Sequence, residues 1–321
     1  AGPSLTSSAT ISRNGDLIGA MHFKFKSDGL GTVDDPTFKN LINDVSVEIG
    51  GQQIDKHYGS WLDIWHELSQ PKSDKPQSEL IPTHAGSGKD VYVPLQFWFN
   101  RNVGLALPLI ALQYHEVKIN ITFASTLESA GYAKEAELWV DYIFLDTEER
   151  KRFAQMSHEY LIDQLQYSGE ESAGTKWRLN FNHPVKEIVW KVGATASAGV
   201  DNDDSAPPTP ATWKLILNGH DRFAAREETY FTQLQKYYHH TNVPDSYEYQ
   251  DGGATVRANT TAVYSFALRP EEHQPSGTCN FSRIDNAQIV KVGDNAAPTF
   301  YAVNYNVLRV VSGMGGLAYS N

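Results

Sequence analysis

The sequence predicts an all-β protein with two tandem copies of one domain and short inserted helices. A repeated domain of this kind is a sandwich, a barrel or a jelly roll, and the helices and long loops favour a double jelly roll, two tandem eight-stranded jelly rolls. Three observations predict it. Short segments alternate apolar and polar residues, glycine and proline are frequent at 24 and 15 residues, and one ordered set of features occurs twice. Alternation is typical of half-buried strands, and frequent turn residues are typical of antiparallel connections. A chain of 321 residues is long enough for two domains with separate cores.

The strands are predicted from alternation and from the turn residues between them. Asn14-Gly15 separates two such segments and favours a hairpin, because both residues tolerate positive φ. The strands of the first half are Thr10–Arg13, Leu17–Phe25, Val45–Ile49, Val91–Leu95, Val117–Phe123 and Leu138–Leu145. Those of the second half are Leu161–Tyr167, Trp177–Phe181, Val185–Val192, Trp213–Leu217, Ala262–Leu268, Ala287–Val292 and Phe300–Val311.

Two helices interrupt the strands, at Ser60–Ser69 and Arg226–Tyr238, where apolar residues recur at helical spacing. We expect each apolar stripe to pack against the side of a barrel. The first stripe is Trp61, Leu62, Ile64, Trp65 and Leu68, and the second is Tyr230, Phe231, Leu234, Tyr237 and Tyr238. The charged segment Asp146–Arg152 predicts either a short exposed helix or a connector between the halves.

The two halves repeat these features in the same order. The turn after Ile49 corresponds to the turn after Leu217 at an offset of 168, and the helical stripes correspond at 169. We therefore predict an N-terminal jelly roll at 1–146, a connector at 147–160 and a C-terminal jelly roll at 161–321. The counterpart of the strand at Leu161–Tyr167 falls at or before Ala1, so the first jelly roll is expected to be truncated at its start.

Composition argues against several functions. The chain has 27 basic and 38 acidic residues and a net charge of −11. This charge argues against binding to nucleic-acid phosphate as the main activity. The single cysteine, Cys279, cannot form an internal disulfide and is expected to be an inert packed thiol. No run approaches the roughly 18 apolar residues of a membrane-spanning helix.

The sequence predicts no site for catalytic chemistry. The phosphate-binding, nucleophile-elbow and dinucleotide-binding motifs are absent. A polar helix end explains His239-His240 better than half of a metal site does. The acidic pair Glu271-Glu272 is better explained as a solvated surface than as glycosidase carboxylates. We predict no catalytic residue, no cofactor and no metal.

Two surface features remain. Glycosylation sequons lie at Asn259 and Asn280, and a third, at Asn120, lies within a predicted strand. The segment Arg269–Asn286 contains prolines and a glycine that exclude one continuous strand or helix. We predict an ordered structural loop in which Arg283 donates to a carboxylate or a backbone carbonyl. The charged residues of this loop are Glu271, Glu272, Arg283 and Asp285.

Four long segments, together with Glu137–Arg150, carry a resemblance over essentially the whole chain. They are Ile11–Leu17, Leu105–Lys118, Phe266–Asn286 and Tyr305–Asn321. These segments resemble the major capsid proteins of nucleocytoplasmic large DNA viruses, a double jelly-roll family found in phycodnaviruses and iridoviruses. The segment Glu137–Arg150 is especially similar to the algal-virus branch. Family members usually carry a further stretch before the Arg13-Asn14-Gly15-Asp16 segment, and their loops are usually longer.

The resemblance implies a structural role in a virion. Three chains would form a homotrimer with a pseudo-hexagonal outline, and such capsomers would tile an icosahedral shell. Neighbouring capsomers, minor capsid proteins and penton proteins would be the partners. The shell would lie near an internal membrane without insertion, and it would not contact nucleic acid directly. The chain would be located in the capsid shell, after assembly in the infected cell.

Two alternatives from other classes remain. Abundant aromatic residues also suit a carbohydrate-binding jelly-roll protein, because aromatic rings stack on sugars. A minor or vertex capsid protein of the same lineage is the second alternative, although such proteins often have a single jelly roll. An enzyme is the alternative that the sequence supports least.

Overall fold

The structure of the protein is a computed structural model that describes residues 5–27, 37–70, 80, 90–125, 132–191, 211–243, 248–251, 254–257, 261–293 and 295–319. The strands of the first half are β1 (Thr6–Thr10), β2 (Leu17–Ser27), β3 (Ile42–Ile49), β4 (Gln52–Tyr58), β5 (Val91–Pro94), β6 (Leu107–Pro108), β7 (Val117–Phe123) and β8 (Tyr132–Ile143). They are followed by β9 (His158–Glu170), β10 (Lys176–Arg178), β11 (Pro184–Lys191), β12 (Thr212–Leu217), β13 (His220–Asp221), β14 (Arg226–Glu227), β15 (Glu248–Asp251), β16 (Ala254–Arg257), β17 (Thr261–Ser265), β18 (Cys279–Asn280), β19 (Ala287–Val292), β20 (Thr299–Val311) and β21 (Met314–Leu317).

The helices are short and lie between strands. The α-helices are α1 (Gly59–Ser69), α2 (Trp98–Arg101), α3 (Thr147–Gln155) and α4 (Gln235–His239). A π-helical turn at Tyr230–Leu234 leads directly into α4. Turns of 3-10 helix lie at Phe38–Asn40, Val103–Leu105, Leu109–Ala111 and Phe281–Arg283.

The chain forms two compact units, each made of more than one segment. Unit 1 comprises Ala1–His66, Ser73–Leu165 and Tyr305–Asn321, and unit 2 comprises Glu67–Lys72 and Gln166–Asn304. The end of β20 pairs with β21 within unit 1, for example through Leu308 and Leu317. The boundaries of the two compact units therefore differ from the predicted repeat boundaries at 146 and 161. Those repeat boundaries describe the duplication and stay a prediction.

Unit 1 holds two antiparallel sheets of four strands each. One has the order β1-β7-β3-β4, and in the other β2 pairs with β5, β6 and β8. Buried and half-buried residues alternate along the whole of β7, as the sequence pattern predicted. Phe25 of one sheet meets Phe123 of the other edge to face, with 6.0 Å between ring centroids. The hydrophobic core of unit 1 therefore lies between its sheets.

Unit 2 holds a matching pair of sheets. One has the order β10-β19-β12-β13, with β14 also paired to β12, and in the other β11 pairs with β17, β18 and β20. Its core is rich in aromatic residues. Trp190 of β11 lies 5.7 Å from Trp213 of β12 and 5.3 Å from Phe231 of the π-helical turn, measured between ring centroids. These rings bury a large apolar area between the sheets and the helix.

The strand order of the two units is the same. The set β10, β19, β12 and β13 takes the places of β1, β7, β3 and β4, and the set β17, β11 and β20 takes those of β5, β2 and β8. The turns match as well, because Gly50 and Gly51 have φ of 59° and 86°, and Asn218 and Gly219 have φ of 50° and 82°. Two successive positive φ values are typical of the type I′ hairpin turn. The double jelly-roll fold predicted from the sequence is confirmed.

The turn at Asn14-Gly15 does not close a hairpin, so that prediction is wrong. β1 pairs with β7, whereas β2 pairs with β8 in the other sheet. The buried carboxylate of Asp16 holds the turn, because it accepts a hydrogen bond from Leu145 N at 2.8 Å and pairs with Arg150 at 3.0 Å. Asn-Gly therefore carries the chain from one sheet to the other.

The segment between the predicted halves contains a helix, which is one of the two alternatives that the sequence left open. α3 begins at Thr147, and the carboxylate of Asp146 accepts hydrogen bonds from the backbone of Glu148 at 3.0 Å and Glu149 at 2.9 Å. An aspartate at this position satisfies amide groups that have no partner within the helix. Acidic residues in the first turn also complement the helix dipole.

Only one of the two predicted helical stripes is buried. In α1, all five stripe residues are buried, so the predicted burial of the first stripe is confirmed. In the second helix Phe231 is buried, but Gln235 and Lys236 take the other buried positions. The exposed stripe residues are Leu234, Tyr237 and Tyr238, at 40%, 71% and 64% exposure. The prediction failed because the π-helical turn adds a residue to the helix and rotates every later side chain relative to a regular α-helix.

Candidate functional site

The predicted structural loop, Arg269–Asn286, is described over its whole length and includes β18. Its backbone is specified at Gly277, whose φ is 143° and where a Cβ atom would lie 2.6 Å from the carbonyl oxygen of Phe266. Glycine is needed there because any side chain would clash with the backbone. The hydroxyl of Ser276 accepts a hydrogen bond from Arg269 N at 2.9 Å, which closes the tip of the loop.

Glu271 ties this loop to the end of α4. Its Oε1 lies 2.9 Å from His240 Nδ1 and accepts a hydrogen bond from Thr241 N at 3.1 Å. The hydroxyl of Thr241 donates to the other carboxylate oxygen. Burial by itself would raise the pKa of Glu271, but the hydrogen bonds from His240 and Thr241 hold that pKa below its ordinary value. Glu271 is therefore ionised at neutral pH.

His240 lies between two carboxylates. Its Nε2 is 3.1 Å from Glu187 Oε2 on β11, and both of these side chains are fully buried. Burial by itself would lower the pKa of His240, but the negative charges of Glu187 and Glu271 and the hydrogen bond to Glu271 raise it to about 9. The imidazole therefore carries a positive charge at neutral pH. This Glu187–His240–Glu271 cluster links a sheet strand, a helix end and the loop within unit 2.

A second buried cation lies one helical turn earlier. Lys236 is fully buried, and its Nζ is 3.1 Å from Glu67 Oε1. Burial lowers the pKa of Lys236, and the charge of Glu67 opposes that effect. The other oxygen of Glu67 accepts a hydrogen bond from Thr261 Oγ1 at 3.2 Å, and its carbonyl oxygen accepts from Asn242 Nδ2 at 2.7 Å. The buried face of this helix is therefore held by ion pairs and hydrogen bonds as well as by apolar contacts.

The other charged residues of the loop lie at the surface. Glu272 pairs with Arg269 at 3.1 Å, with both side chains largely exposed. The backbone carbonyl of Asp285 accepts a hydrogen bond from Arg178 Nη2 at 3.1 Å. Arg283 is exposed, and its side chain makes no hydrogen bond or ion pair within the described ranges. The structure thus brings Glu271, but not Arg283, to a buried partner of opposite charge.

The sequons differ in their surroundings. Asn280 is exposed on β18, and its side-chain oxygen accepts a hydrogen bond from Ser282 N at 3.0 Å. Asn259 lies outside the described residues. Asn120 lies within β7, where its amide donates to Glu48 at 3.2 Å.

Sequence reasoning missed the partnership of Glu187 with His240. The signal that could have found it is a charged pair, Lys186-Glu187, in the middle of an otherwise apolar strand. All residues of β11 from Val185 to Trp190 are buried, and a buried carboxylate needs a charged or hydrogen-bonding partner. The sequence does not identify that partner, because His240 is 53 positions away along the chain.

Three further chemical features of the described part of the chain bear on its function. No group of three His, Cys, Asp or Glu residues there could hold a metal ion. No described helix combines the length and the apolar character needed to cross a membrane. Cys279 is half-buried, and burial raises the pKa of its thiol.

Comparison with protein families covers nearly the whole chain. The family described as "Large eukaryotic DNA virus major capsid protein" matches residues 149–316, and "Major capsid protein N-terminus" matches residues 2–146. The chain belongs to the major capsid proteins of large eukaryotic DNA viruses. The resemblance seen in the sequence motifs is thereby confirmed.

Individual capsid proteins are similar over most of their length. The major capsid protein of Pyramimonas orientalis virus is 50% identical over 97% of this chain and 85% of its own length. That of Paramecium bursaria Chlorella virus 1 is 39% identical over 98% and 87%. A chain of the solved PBCV-1 virus capsid superposes with a TM-score of 0.78 at 36% identity, covering 99% of this chain and 93% of that one. The Faustovirus major capsid protein, at 12% identity and a TM-score of 0.70, shares the fold.

Membership in this family defines the role of the chain. Major capsid proteins are structural proteins, so the chain is not an enzyme, and it is located in the capsid shell of the virion. The Glu187–His240–Glu271 cluster is accordingly a structural feature of a shell protein.

Proposed function

We propose that three copies of this major capsid protein form a homotrimeric capsomer with a pseudo-hexagonal outline, and that such capsomers tile an icosahedral shell. The observation that carries the proposal is the common strand order of units 1 and 2. A trimer of chains with two similar units each has six similar units around its axis. Because these six units are similar, a threefold assembly can occupy a position that has six neighbours. Closed cyclic symmetry is also the usual arrangement of homo-oligomers.

The proposed partners follow from this role. Neighbouring capsomers cover the sides of each trimer, and minor capsid and penton proteins complete the shell. The net charge of −11 disfavours direct contact with nucleic acid, because phosphate groups repel an acidic surface. An internal membrane lies close to the shell without insertion of this chain.

The loop Arg269–Asn286 has a structural role in this proposal. Glu271 anchors it through a partly buried, charged hydrogen bond to His240, which is stronger than a bond between neutral groups. An anchored loop presents the same surface in every copy, and a repeating shell needs such uniformity. The exposed residues Glu272, Arg283 and Asp285 then face solvent or a neighbouring chain.

Electron microscopy of the purified protein tests the proposal. Class averages of negatively stained particles are expected to show threefold particles with six lobes. Particles that consistently show two lobes, at concentrations where the protein is well folded, would rule out the trimeric capsomer.

A further inference from the structure

Unit 1 is completed by a segment that follows the long segment of unit 2 in the chain. The chain leaves unit 1 after Leu165, passes through Gln166–Asn304 in unit 2, and returns to unit 1 at Tyr305. On its return, the end of β20 pairs with β21, for example through Leu308 and Leu317. We call residues 305–317 the closing segment.

The closing segment supplies part of the hydrophobic core of unit 1. Leu308 and Val310 are 0% and 1% exposed, and they belong to the same cluster of buried residues as β2, β3 and β7. Leu317 packs against this cluster. Without the closing segment these apolar side chains would lose buried contacts, and apolar burial is the main favourable term in folding. The core of unit 1 therefore depends on residues that are reached only after unit 2.

Hydrogen bonds hold the closing segment in one register. The buried amide of Asn306 donates to Gln164 Oε1 of β9 at 2.9 Å, and the amide of Gln164 donates to the carbonyl oxygen of Ile54 in β4. Farther along, Leu317 N donates to Gln52 Oε1 at 3.3 Å. Buried polar groups need such partners, so a displaced segment would leave Gln164 unsatisfied.

Unit 2 contains what it needs to close its own segment of chain. Among the described residues, all members of its aromatic core lie between Trp177 and Ala302. The two ends of its long segment are also joined, because the amide of Gln166 donates to Asn304 Oδ1 at 2.9 Å, across 138 positions of the chain. Folding of unit 2 therefore closes this long loop by itself.

The closed loop places the closing segment where unit 1 uses it. Two positions beyond the Gln166–Asn304 pair, the same two strands are joined by Gln164 and Asn306 in unit 1. The entropic cost of bringing two chain segments together rises with the length of the loop between them. Contacts that are distant in sequence pay this cost before they form. Once unit 2 has folded, the cost of joining β9 to the closing segment is already offset.

We propose that unit 2 folds first, and that its folding brings the closing segment to β9 and so completes unit 1. The dependence runs in one direction, since unit 2 has its own core and unit 1 borrows part of its core from residues 305–317. A consequence for assembly rests on the proposed capsomer. A chain whose closing segment has not docked lacks one of its two jelly rolls and is excluded from the capsomer.

Pulse-labelling hydrogen exchange during refolding of the full chain tests this order. Amides of β11, β12 and β19 in unit 2 are expected to become protected first. Amides of β3 and β7 in unit 1 are expected to follow at the same rate as those of the closing segment. Protection of unit 1 before unit 2, or of β3 and β7 before the closing segment, would overturn the proposal.

A full-length Leu308→Ser/Val310→Ser variant tests the dependence. Amides of β3 and β7 are expected to exchange at least tenfold faster than in the wild type, while unit 2 becomes protected at the wild-type rate. The matched control is Val311→Ser/Met314→Ser, which changes two apolar residues of the same segment that are 48% and 51% exposed. The control is expected to leave exchange in both units unchanged.

The remaining outcomes of the variant experiment all count against the proposal. Loss of protection in both units alike would show that they fold as one. Wild-type protection of β3 and β7 in the variant, or an equal loss in the control, would show that the buried side chains of the closing segment do not complete unit 1. Exchange is measured within each unit of a single chain, so a protein that stays monomeric would contradict the proposed capsomer and leave this test valid.

Discussion

The imidazole of His240 contacts the carboxylate of Glu187 at 3.1 Å, with both side chains fully buried in unit 2. A buried ion pair stabilises a fold only when its geometry and its further hydrogen bonds offset the cost of desolvation. Here Glu271 supplies the second partner at 2.9 Å. The cluster therefore makes the stability of unit 2 depend on the protonation of one histidine.

Stability is expected to fall at alkaline pH. The pKa of His240 is about 9 in the folded chain, against an ordinary value of 6.5. Folding therefore favours the charged imidazole, so the contribution is complete below pH 6.5 and is lost as the pH rises to about 9. A shift of this size corresponds to a contribution on the order of 3 kcal/mol. Urea unfolding at a series of pH values measures it.

The control for the pH series is His240→Gln, which removes the titrating group. Its unfolding free energy is expected to be lower at neutral pH and nearly flat between pH 6.5 and 9. If the variant kept the same alkaline decline as the wild type, the decline would come from other groups and the role of His240 would be refuted.

Glu271→Gln tests the anchor of the loop Arg269–Asn286. The substitution removes the charge that partners His240, so we expect a loss of about 1–3 kcal/mol in the free energy of unfolding. Glu272→Gln is the matched control, since its pair with Arg269 is exposed and such pairs contribute about 0–1 kcal/mol. Equal effects of the two substitutions in urea unfolding would show that Glu271 is not the anchor.

Arg283→Ala tests whether an exposed residue of the loop contributes to the free energy of unfolding. We expect the unfolding free energy to change by less than about 0.5 kcal/mol, because Arg283 is exposed and substitutions at such sites are usually neutral. Thermal or urea unfolding measures the change. A loss above about 1 kcal/mol would restore Arg283 as the residue that holds the loop.

Trp65→Ala tests the packing of α1. Trp65 is 5% exposed, and the guanidinium of Arg101 lies 4.6 Å from its ring. We expect the unfolding free energy to fall by roughly 3–5 kcal/mol, as for other large-to-small substitutions in a core. Trp139→Ala, at a position that is 53% exposed, is the control. If the two tryptophans were equally dispensable, the packing of α1 would contribute little to the fold.

The fold could be predicted because its signals are local and repeated. Alternation over Val117–Phe123 depends only on which face of a strand is buried, and the structure keeps that pattern. The turns at Gly50 and Asn218 could be matched because both require positive φ. The hairpin predicted at Asn14-Gly15 was wrong because a turn-forming dipeptide specifies a bend in the chain. It does not specify which strands pair after that bend.

The buried cluster could not be predicted because its signals are not local. His240 and Glu187 are brought together by the fold, and neither residue type indicates the other along the sequence. The orientation of Tyr237 depends on the π-helical turn, which one extra residue creates. Helical periodicity assumes 3.6 residues per turn, so it placed the second stripe on the buried side.

The measurement that tests the central claim most directly is sedimentation equilibrium of the wild-type chain at micromolar concentration. The proposed capsomer predicts a single species with three times the chain mass of 35.8 kDa. A well-folded species of 35.8 kDa under the same conditions would contradict it.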